Sequence, residues 1–518
     1  MKKFLSCLLM AGICSCAIAQ ADPAKYASTI TEEDLRKQLT IVAGAEMQGR
    51  ETATEGERKA AAYIASEFSR IGLKPAPGTN NFRQAYPLFY DTINTSLLVI
   101  DGQTLAFGKD YSVSAQVNKS RKIKAKKIVF VGYGISDNNY DDYAGKRVRG
   151  KVVLMFSGEP KTDSLYRVNS STRPSKWSFG TIAKLQLARK KGARAVLFVS
   201  PLSVSPRPEA AGIRRTNIYY PQKDTSRHTN IANLSHEAAA AIIGKEKFDV
   251  LLSQVKTGQA LNNENLIFKK RVEYNFQKSS VPQSSANIVG YLEGTDKKDE
   301  YVVLTAHYDH IGMRNGIINY GADDDGSGTV NVIEMAEAFA KAKADGNGPR
   351  RTIVFMTVSG EEKGLWGSQY YTEHPLFPLS KTSVDLNTDM IGRIDPNRKY
   401  GDSTNYVYVI GEDKLSSELL SITDEVNTKF TKLELDRKYN DLKDPNRFYY
   451  RSDHYNFAKN GVPIIFYFDG VHADYHRPTD TVDKINFDIM TRRARLIFHT
   501  AWVMANRDKM LLRDTPLR

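Results

Sequence analysis

Three adjacent carboxylates stand between glycines in the segment Gly321-Ala322-Asp323-Asp324-Asp325-Gly326. Packing such charges side by side is costly unless a cation offsets them. Other acids and histidines follow nearby apolar runs, and the candidate ligands together are His307, Asp309, Asp323, Asp324, Asp325, Glu361, Glu362, Asp389 and His476. Two histidines with several carboxylates suit zinc, and this many ligands would suit two ions better than one. One carboxylate must then bridge the two ions.

A pair of metal ions bound by these residues could catalyse hydrolysis by activating a water molecule. Two ions roughly 3.5–4 Å apart hold a shared water and bring its pKa from about 15.7 toward neutrality. A base must still carry the proton to the leaving group. One member of the pair Glu361-Glu362 can do so while its neighbour binds metal.

Other interpretations of these motifs fit less well. With Gly326 at the glycine position of an EF-hand loop, the first ligand position falls on Gly321, so that pattern fails. Three carboxylates would repel a phosphate group. The pair Glu361-Glu362 alone would be an ordinary solvated turn. The histidines interpreted as surface residues or neighbours of the site, rather than ligands, are His310, His374, His454 and His472.

Buried strands must bring these side chains to one place. From residue 287 onward, apolar runs alternate with helical patterns, which predicts an α/β fold with a mostly parallel central sheet flanked by helices. The predicted strands are Ile288–Tyr291, Tyr301–Thr305, Ile353–Val358, Val384–Leu386, Val407–Ile410 and Ile464–Phe468. Ligands of such sheets bind beyond the carboxyl ends of the strands, so five loops should converge on one edge.

The chain has 518 residues, which is too long for one compact core, so we expect two domains with one inserted in the other. Short β-like runs predict a separate domain at residues 94–268, between a first part of the main domain at 22–93 and its remainder at 269–518. No histidine clusters with acids there, so this domain is interpreted as non-catalytic. Ser279–Ser285 is predicted to be a linker. The loop Met47–Arg50 offers no recognisable chemistry.

The first 21 residues have the features of a secretory signal peptide. Lys2 and Lys3 precede an apolar stretch and small residues. All three cysteines, Cys7, Cys14 and Cys16, lie in this segment, so the mature chain would hold a metal with histidines and carboxylates alone. We therefore expect a secreted protein, periplasmic or extracellular, without a transmembrane segment. The alternative is a lipoprotein cleaved before Cys16.

The formal net charge is +14, and the densest basic run is Asn118–Lys127. A nucleic-acid partner would need aromatic residues between the basic ones, and none is present. The run is therefore interpreted as a solvated edge strand, whose lysines discourage pairing between sheets. The sequence gives no oligomeric state.

The motifs together resemble the M28 family of zinc aminopeptidases. The residues that carry the resemblance are His307-x-Asp309, Gly-Ala-Asp-Asp-Asp-Gly-Ser-Gly at 321–328, Glu361-Glu362-x-Gly364-Leu365-x-Gly367-Ser368, Asp389-Met390, Ser452-Asp453-His454 and His476-x-x-x-Asp480-Thr481. The resemblance covers the chain after about residue 285 and, more loosely, residues 30–90. It implies the zinc exopeptidase fold. Within 94–268, Val131-Gly132-Tyr133-Gly134 and two further motifs resemble the protease-associated (PA) domain that many members carry as a β-rich α/β insertion.

The resemblance also implies roles for individual residues. Asp324 would bridge two Zn²⁺ ions, with His307 and Asp389 on one ion and Glu362 and His476 on the other. Glu361 would be the general base. Asp309 would orient His307, and Tyr449, whose alignment is loose, would help to stabilise the oxyanion.

The function implied is that of a secreted di-zinc metallo-exopeptidase. We expect an aminopeptidase that hydrolyses N-terminal residues from peptides, through a metal-bridging hydroxide and a glutamate base. A carboxypeptidase would need a cationic clamp such as Arg393, Arg451 or Arg477. A glutaminyl-cyclase-like enzyme on the same fold would need only one zinc, and an inactive binding homologue would have lost ligands.

Overall fold

The computed structural model describes residues 22–79, 81–137, 140–162, 164–178, 181–202, 217–221, 228–261 and 264–516. The predicted signal peptide and its three cysteines lie outside the described residues. The chain divides into two compact units. The first comprises Met1–Tyr86 and Ser285–Arg518, and the second comprises Pro87–Ser284.

The helices are α1 Ala24–Ala27, α2 Glu32–Val42, α3 Glu55–Ile71, α4 Ile182–Lys190, α5 His236–Ile243, α6 Lys245–Lys256, α7 Gly328–Ala344, α8 Trp366–Glu373, α9 Leu419–Phe430, α10 His454–Ala458 and α11 Phe487–Asn506. The strands are β1 Lys74–Pro75, β2 Arg83–Ile100, β3 Gln103–Leu105, β4 Tyr111–Ser112, β5 Arg121–Ala125, β6 Ile128–Phe130, β7 Ser136–Asp137, β8 Tyr140–Asp141, β9 Val152–Phe156, β10 Lys161–Thr162, β11 Leu165–Tyr166, β12 Ala195–Val199, β13 Asn230–Leu234, β14 Ile267–Phe268, β15 Val272–Leu292, β16 Lys297–His307, β17 Met313–Arg314, β18 Ile317–Ile318, β19 Arg351–Val358, β20 Thr382–Thr388, β21 Tyr406–Ile410, β22 Glu434–Asp436 and β23 Ile464–Phe468.

The central sheet of the first unit has the strand order β22-β21-β23-β20-β16-β19-β15. The four strands β23, β20, β16 and β19 are parallel to their neighbours within this group. At its two sides, β15 and β21 pair antiparallel with β19 and β23. All six predicted strands are present, and the prediction of a mostly parallel sheet in an α/β fold is confirmed.

The sheet is covered by helices on both faces because its central strands are apolar on both faces. Every residue of β19, β20 and β23 is buried. On one face, Val302 and Leu304 pack in a core with residues of α2, α3, α7 and α11. On the other face, Val303 packs in a second core with residues of α8 and α10. This double burial explains why the strands are continuous apolar runs rather than alternating ones.

Local signals in the sequence set the bounds of the first two long helices. Thr31 caps α2, and its hydroxyl accepts a hydrogen bond from the Asp34 amide at 3.1 Å. Helix α3 ends at Gly72, whose φ of 85° is in the left-handed region that glycine tolerates best. These two helices lie on the face of the sheet that carries Val302 and Leu304.

The second unit has its own sheet, with the order β14-β6-β9-β12-β13-β4. Its four inner strands pair in parallel, and its two outer strands pair antiparallel. The unit is wider at both ends than the predicted insertion at 94–268. Its likeness to a PA domain stays a prediction. The basic run contains β5, which pairs with β15 and exposes Arg121, Lys122 and Lys124, as expected of a solvated edge strand.

The predicted linker at Ser279–Ser285 is wrong, because these residues lie within the long strand β15. Ser279, Ser280 and Ser284 are exposed, and Ser285 is buried. The Ser280 hydroxyl donates a hydrogen bond to Asp91, and the Ser285 hydroxyl donates one to Glu57. Side-chain hydrogen bonds therefore hold a segment whose composition alone suggested flexibility.

Within the described ranges, no helix has the length and apolar character needed to cross a bilayer.

Candidate metal centre

The predicted ligands follow four neighbouring strands of the central sheet. His307 is the last residue of β16, and Asp389 comes directly after β20. The remaining ligands lie on loops: Glu362 after β19, His476 after β23 and Asp324 in the turn Ala322–Ser327 before α7. Because the four strands are parallel, their carboxyl ends meet at one edge of the sheet. The fold thereby brings together five residues that are distant in the sequence.

One group forms around His307. Its Nε2 lies 3.4 Å from Asp324 Oδ1 and 3.5 Å from Asp389 Oδ1. Its Nδ1 lies 3.0 Å from the backbone carbonyl oxygen of Asp309. Since a carbonyl can only accept, Nδ1 carries a proton, so the neutral ring would be the Nδ1–H tautomer, with Nε2 on the side of the carboxylates. This tautomer is the one that a metal ion between these groups requires.

A second group forms around His476. Its Nε2 lies 3.1 Å from Asp324 Oδ2 and 3.1 Å from Glu362 Oε2. The two oxygens of Asp324 therefore face different histidines. A carboxylate that bridges two ions has this arrangement.

The two acids beside Asp324 have other partners. Asp325 is buried, and its oxygens accept hydrogen bonds from the backbone amides of His307, Gly328 and Met390 at 2.9–3.1 Å. Asp325 also lies near His307 and Asp389, but three of the roughly four lone-pair positions of its carboxylate accept these hydrogen bonds. Asp323 accepts a hydrogen bond from the Gly392 amide at 2.7 Å. These two side chains tie the loops together, and Asp324 faces the histidines.

The charges of the site are far from balanced by the protein alone. Burial lowers the pKa of His307, but the carboxylates of Asp389, Glu361 and Asp324 outweigh burial and raise that pKa well above its usual value. Burial also lowers the pKa of His476, yet its carboxylate neighbours raise that pKa to about 10. Burial raises the pKa of Glu361 well above its usual range, and Asp389 adds to this effect. Each shift has the direction expected where buried negative charge attracts cations.

The backbone of Glu361 is fixed by Asp309. The Glu361 amide donates to Asp309 Oδ1 at 3.1 Å, and the Thr52 hydroxyl donates to Asp309 Oδ2 at 2.7 Å. Asp309 Oδ1 lies 3.8 Å from His307 Nδ1, which is longer than a hydrogen bond. Asp309 thus contacts His307 through its carbonyl and holds the Glu361 loop through its carboxylate.

A cavity opens beside the predicted metal ligands, and Tyr449 does not line it. Its lining residues are Asp324, Glu361, Asp389, Met390, Phe448, Arg451, Phe466, Phe468, Val471 and Tyr475. The ring of Tyr449 packs near Gly411 instead, and its buried hydroxyl has no hydrogen-bond partner among the described residues. The phenol at the cavity is that of Tyr475, whose ring stacks on His476 with centroids 3.9 Å apart.

Two buried residues beside the predicted ligands, His310 and Arg50, were given no role in the centre from the sequence. His310 is not a surface residue: it is fully buried, and its Nδ1 lies 2.9 Å from Glu362 Oε1. Its place three residues after His307, in Ala-His-Tyr-Asp-His, was the available signal. Arg50, in the loop that offered no recognisable chemistry, is also fully buried. A basic residue beside the glycines of a polar loop carries no such signal.

The Arg50 guanidinium holds the loops that carry the ligands. It donates to the carbonyl oxygens of Val42, Tyr308, Tyr320 and Gly321 at 2.7–3.0 Å. Tyr308 follows His307, and Gly321 lies three residues before Asp324. The fork of the guanidinium, with donors in fixed directions, suits this bridging of separate segments.

Residues 287–501 match the sequence model of Peptidase family M28, which confirms the resemblance drawn from the motifs. A probable leucine aminopeptidase of Arthroderma otae is 31% identical over 217 residues, which are 40% of this chain and 55% of that protein. A probable zinc metalloprotease of Pyrenophora tritici-repentis is 28% identical over 268 residues, 44% of this chain and 53% of that protein. The chain spans about half the length of these curated relatives.

The fold is also found among solved structures. An aminopeptidase from Aneurinibacillus sp. strain AM-1 aligns with a TM-score of 0.52 and 18% sequence identity. The alignment covers 96% of this chain and 100% of that one. At this identity the comparison establishes a shared fold, which extends over both units of the chain.

Proposed function

We propose that this protein is a secreted zinc aminopeptidase that uses two ions to remove N-terminal residues from peptides. The observation that carries the proposal is the placement of Asp324, whose two oxygens face His307 on one side and His476 on the other. The match to family M28 and the names of the relatives, a leucine aminopeptidase and a zinc metalloprotease, support it.

The donor set fits zinc. Two imidazoles and three carboxylates are ligands that zinc accepts, and each group has a histidine with carboxylate oxygens at 3.1–3.5 Å. Asp324 Oδ2 is buried without a hydrogen-bond partner among the described residues. An unpaired buried carboxylate oxygen is costly, and a cation at this position would remove that cost. When bound, the ions would supply positive charge that polarises a substrate carbonyl and acidifies water.

Glu361 is placed to act as the base. Its carboxylate lines the cavity beside Asp324 and Asp389, and its Oε2 lies 3.9 Å from His307 Nε2. The backbone contact with Asp309 holds the residue in this position. Glu361 would take a proton from the attacking water and pass it to the departing amine, while Glu362 faces His476. Adjacent residues on one loop thus serve both roles.

The cavity favours an apolar side chain at the amino end of the substrate. Met390, Phe448, Phe466, Phe468 and Val471 line it beside the ligands. Apolar walls of this kind would bury part of an aliphatic or aromatic side chain. The free α-ammonium of the substrate would lie beside the carboxylates of the centre, since Asp324, Glu361 and Asp389 border the same space.

Carboxypeptidase action is the second candidate, and Arg451 is the observation that favours it. Of the three arginines considered, Arg393 is paired with Asp474 at 2.8 Å, whereas Arg451 lines the cavity and contacts the Tyr475 hydroxyl at 3.4 Å. Arg451 has no ion pair among the described residues, so its guanidinium could hold a terminal carboxylate. Its guanidinium also stacks over the Phe448 ring at 4.9 Å, which suits a wall of the pocket equally well.

Peptides with blocked ends decide between these activities. The purified mature chain should release leucine from free Leu-Gly-Gly and leave acetyl-Leu-Gly-Gly intact, with product detected by mass spectrometry. Amidation of the carboxyl end should have little effect. Cleavage of the acetylated peptide from its carboxyl end, abolished by Arg451→Ala, would replace the aminopeptidase by a carboxypeptidase.

A further inference from the structure

His310 is a buried side chain beside the proposed metal ligands, and it has no role in the two-ion centre proposed above. It is fully buried, and neither of its ring nitrogens has a hydrogen-bond partner among the described residues. Two atoms beside it, Glu362 Oε1 and Asp324 Oδ2, are buried without partners in the same way. Unpaired polar groups in a protein interior are rare and call for an explanation.

These atoms converge on one point together with His476. His310 Nδ1 lies 2.9 Å from Glu362 Oε1 and 3.7 Å from Asp324 Oδ2. His476 Nε2 lies 3.1 Å from oxygens of the same two carboxylates. Ligand atoms about 2.0–2.1 Å from a tetrahedral zinc are roughly 3.3 Å from each other. The observed distances bracket that value.

A hydrogen bond from His310 to Glu362 is the competing explanation. The separation of 2.9 Å would allow it, but neither His310 Nδ1 nor Glu362 Oε1 makes a hydrogen bond among the described residues. The ring is held in place by its surroundings. The His310 amide donates to the Arg50 carbonyl at 3.2 Å, and a Cβ at Gly321 would meet the ring at 2.6 Å. Glycine at 321 leaves the space that the imidazole occupies.

We propose that His310 is a fourth protein ligand, through Nδ1, of the ion that Asp324, Glu362 and His476 hold. This inference rests on the proposed two-ion centre. It makes the two sites unequal, since the other ion would have His307, Asp324 and Asp389 as protein ligands. The site with two imidazoles should bind zinc more tightly and fill first. The site with three ligands keeps an open position, as catalytic zinc sites do.

A crystal of the zinc-loaded protein tests the geometry directly. Anomalous scattering at the zinc edge should place one ion about 2.0–2.1 Å from His310 Nδ1 and the other beside His307. Two ions with His310 Nδ1 more than about 3 Å from both would overturn this inference and leave the proposed function standing. A centre that binds no zinc would overturn both.

A substitution tests the affinity. In His310→Gln, zinc binding at the tighter site should weaken at least about 100-fold, as measured by competition with a chromophoric chelator. The matched control is His499→Gln, which changes another buried histidine. His499 lies in α11, and its ring stacks on Phe430 of α9. The control should keep both affinities. Cobalt-substituted protein should show an altered visible absorption band for His310→Gln alone, and an unchanged band and affinity would contradict ligation.

Discussion

At the scale of single residues, adjacent acids contact different partners, and the proposed chemistry depends on this difference. Asp324 presents its oxygens to two histidines, while Asp325 accepts three backbone hydrogen bonds and Asp323 fixes the Gly392 loop. In the same way, Glu362 faces His476 and Glu361 borders the cavity. Neighbours in the sequence therefore have different tasks, because successive side chains on a loop point in different directions.

Replacement of the proposed base should separate catalysis from metal binding. In Glu361→Gln, the amide keeps the shape of the side chain and cannot accept the proton, so kcat should fall about 100-fold to 10,000-fold. Two zinc ions per chain should remain by elemental analysis. The control is Glu362→Gln, which should lose zinc. A near-normal kcat in Glu361→Gln would mean that the base is another residue.

Two tyrosines provide a matched pair for the oxyanion role. Tyr475 lines the cavity beside Glu361, whereas Tyr449 is buried near Gly411. Tyr475→Phe removes a donor from the cavity and should lower kcat about 100-fold with KM little changed. Tyr449→Phe should leave both constants near those of the unmodified enzyme. The opposite result would return the role to Tyr449, as the sequence motif suggested.

At the scale of elements, a buried carboxyl joins helix α3 to the loops of the site. The Glu57 side chain accepts hydrogen bonds from the hydroxyls of Ser285 in β15 and Ser359 after β19, and from the Ala53 amide. Burial raises the pKa of Glu57 to about 7, against a usual value of 4.5. Ser359 lies two residues before Glu361, so its hydrogen bond to Glu57 helps to fix the backbone that carries the proposed base.

The raised pKa of Glu57 should make the free energy of unfolding depend on pH. Between pH 4.5 and 7 the folded protein keeps a proton that the unfolded chain releases, so rising pH lowers the stability of the native protein. Glu57→Gln removes the titrating group, and its amide can still accept from Ala53 while donating to the two serines. Its stability relative to the native protein should rise by on the order of 2 kcal/mol as pH increases through this range.

Thermal unfolding from pH 4.5 to 8 measures this effect. The midpoint difference between Glu57→Gln and the unmodified chain should grow with pH and level off above pH 7. A difference that does not change with pH would show that Glu57 is ionised in the folded protein or that its burial is relieved. Ser66→Ala, a change at an exposed position of α3, serves as the control and should show no trend.

The strands were predictable from the sequence because their signals are local, and the proposed ligands could be singled out because they follow these strands. Continuous apolar runs such as Val302–Leu304 mark strands buried on both faces, and the acids follow them directly. His310 and Arg50 could not be assigned in this way, since their importance depends on contacts with Glu362 and with the carbonyls of distant loops. The hydrogen bonds of Ser280 and Ser285 in β15 could not be predicted either, because their partners, Asp91 and Glu57, are remote in sequence.

At the scale of the whole molecule, the proposed metal ligands all lie in one unit. His307, Asp324, Glu362, Asp389 and His476 belong to Ser285–Arg518, and the unit Pro87–Ser284 contributes none of them. The second unit therefore has a role other than holding the ions. We propose that it is the PA-like insertion expected from the motifs between residues 94 and 268.

Export should remove the N-terminal segment. The charged start, apolar stretch and small residues of the first 21 positions predict cleavage by a signal peptidase near Ala21. N-terminal sequencing of protein recovered outside the cytoplasm should begin close to residue 22. A chain that begins at Cys16 and carries lipid would identify a lipoprotein, and an uncleaved chain in the cytoplasm would exclude export.

Zinc titration of the metal-free protein tests the two-ion centre most directly. Zinc is added in steps to the purified mature chain while leucine release from Leu-Gly-Gly and bound metal are measured in the same sample. We predict little activity up to one equivalent and full activity at two equivalents per chain, because His307 with Asp389 and His476 with Glu362 would hold separate ions on the two sides of Asp324. Full activity with one bound ion would contradict the two-ion centre.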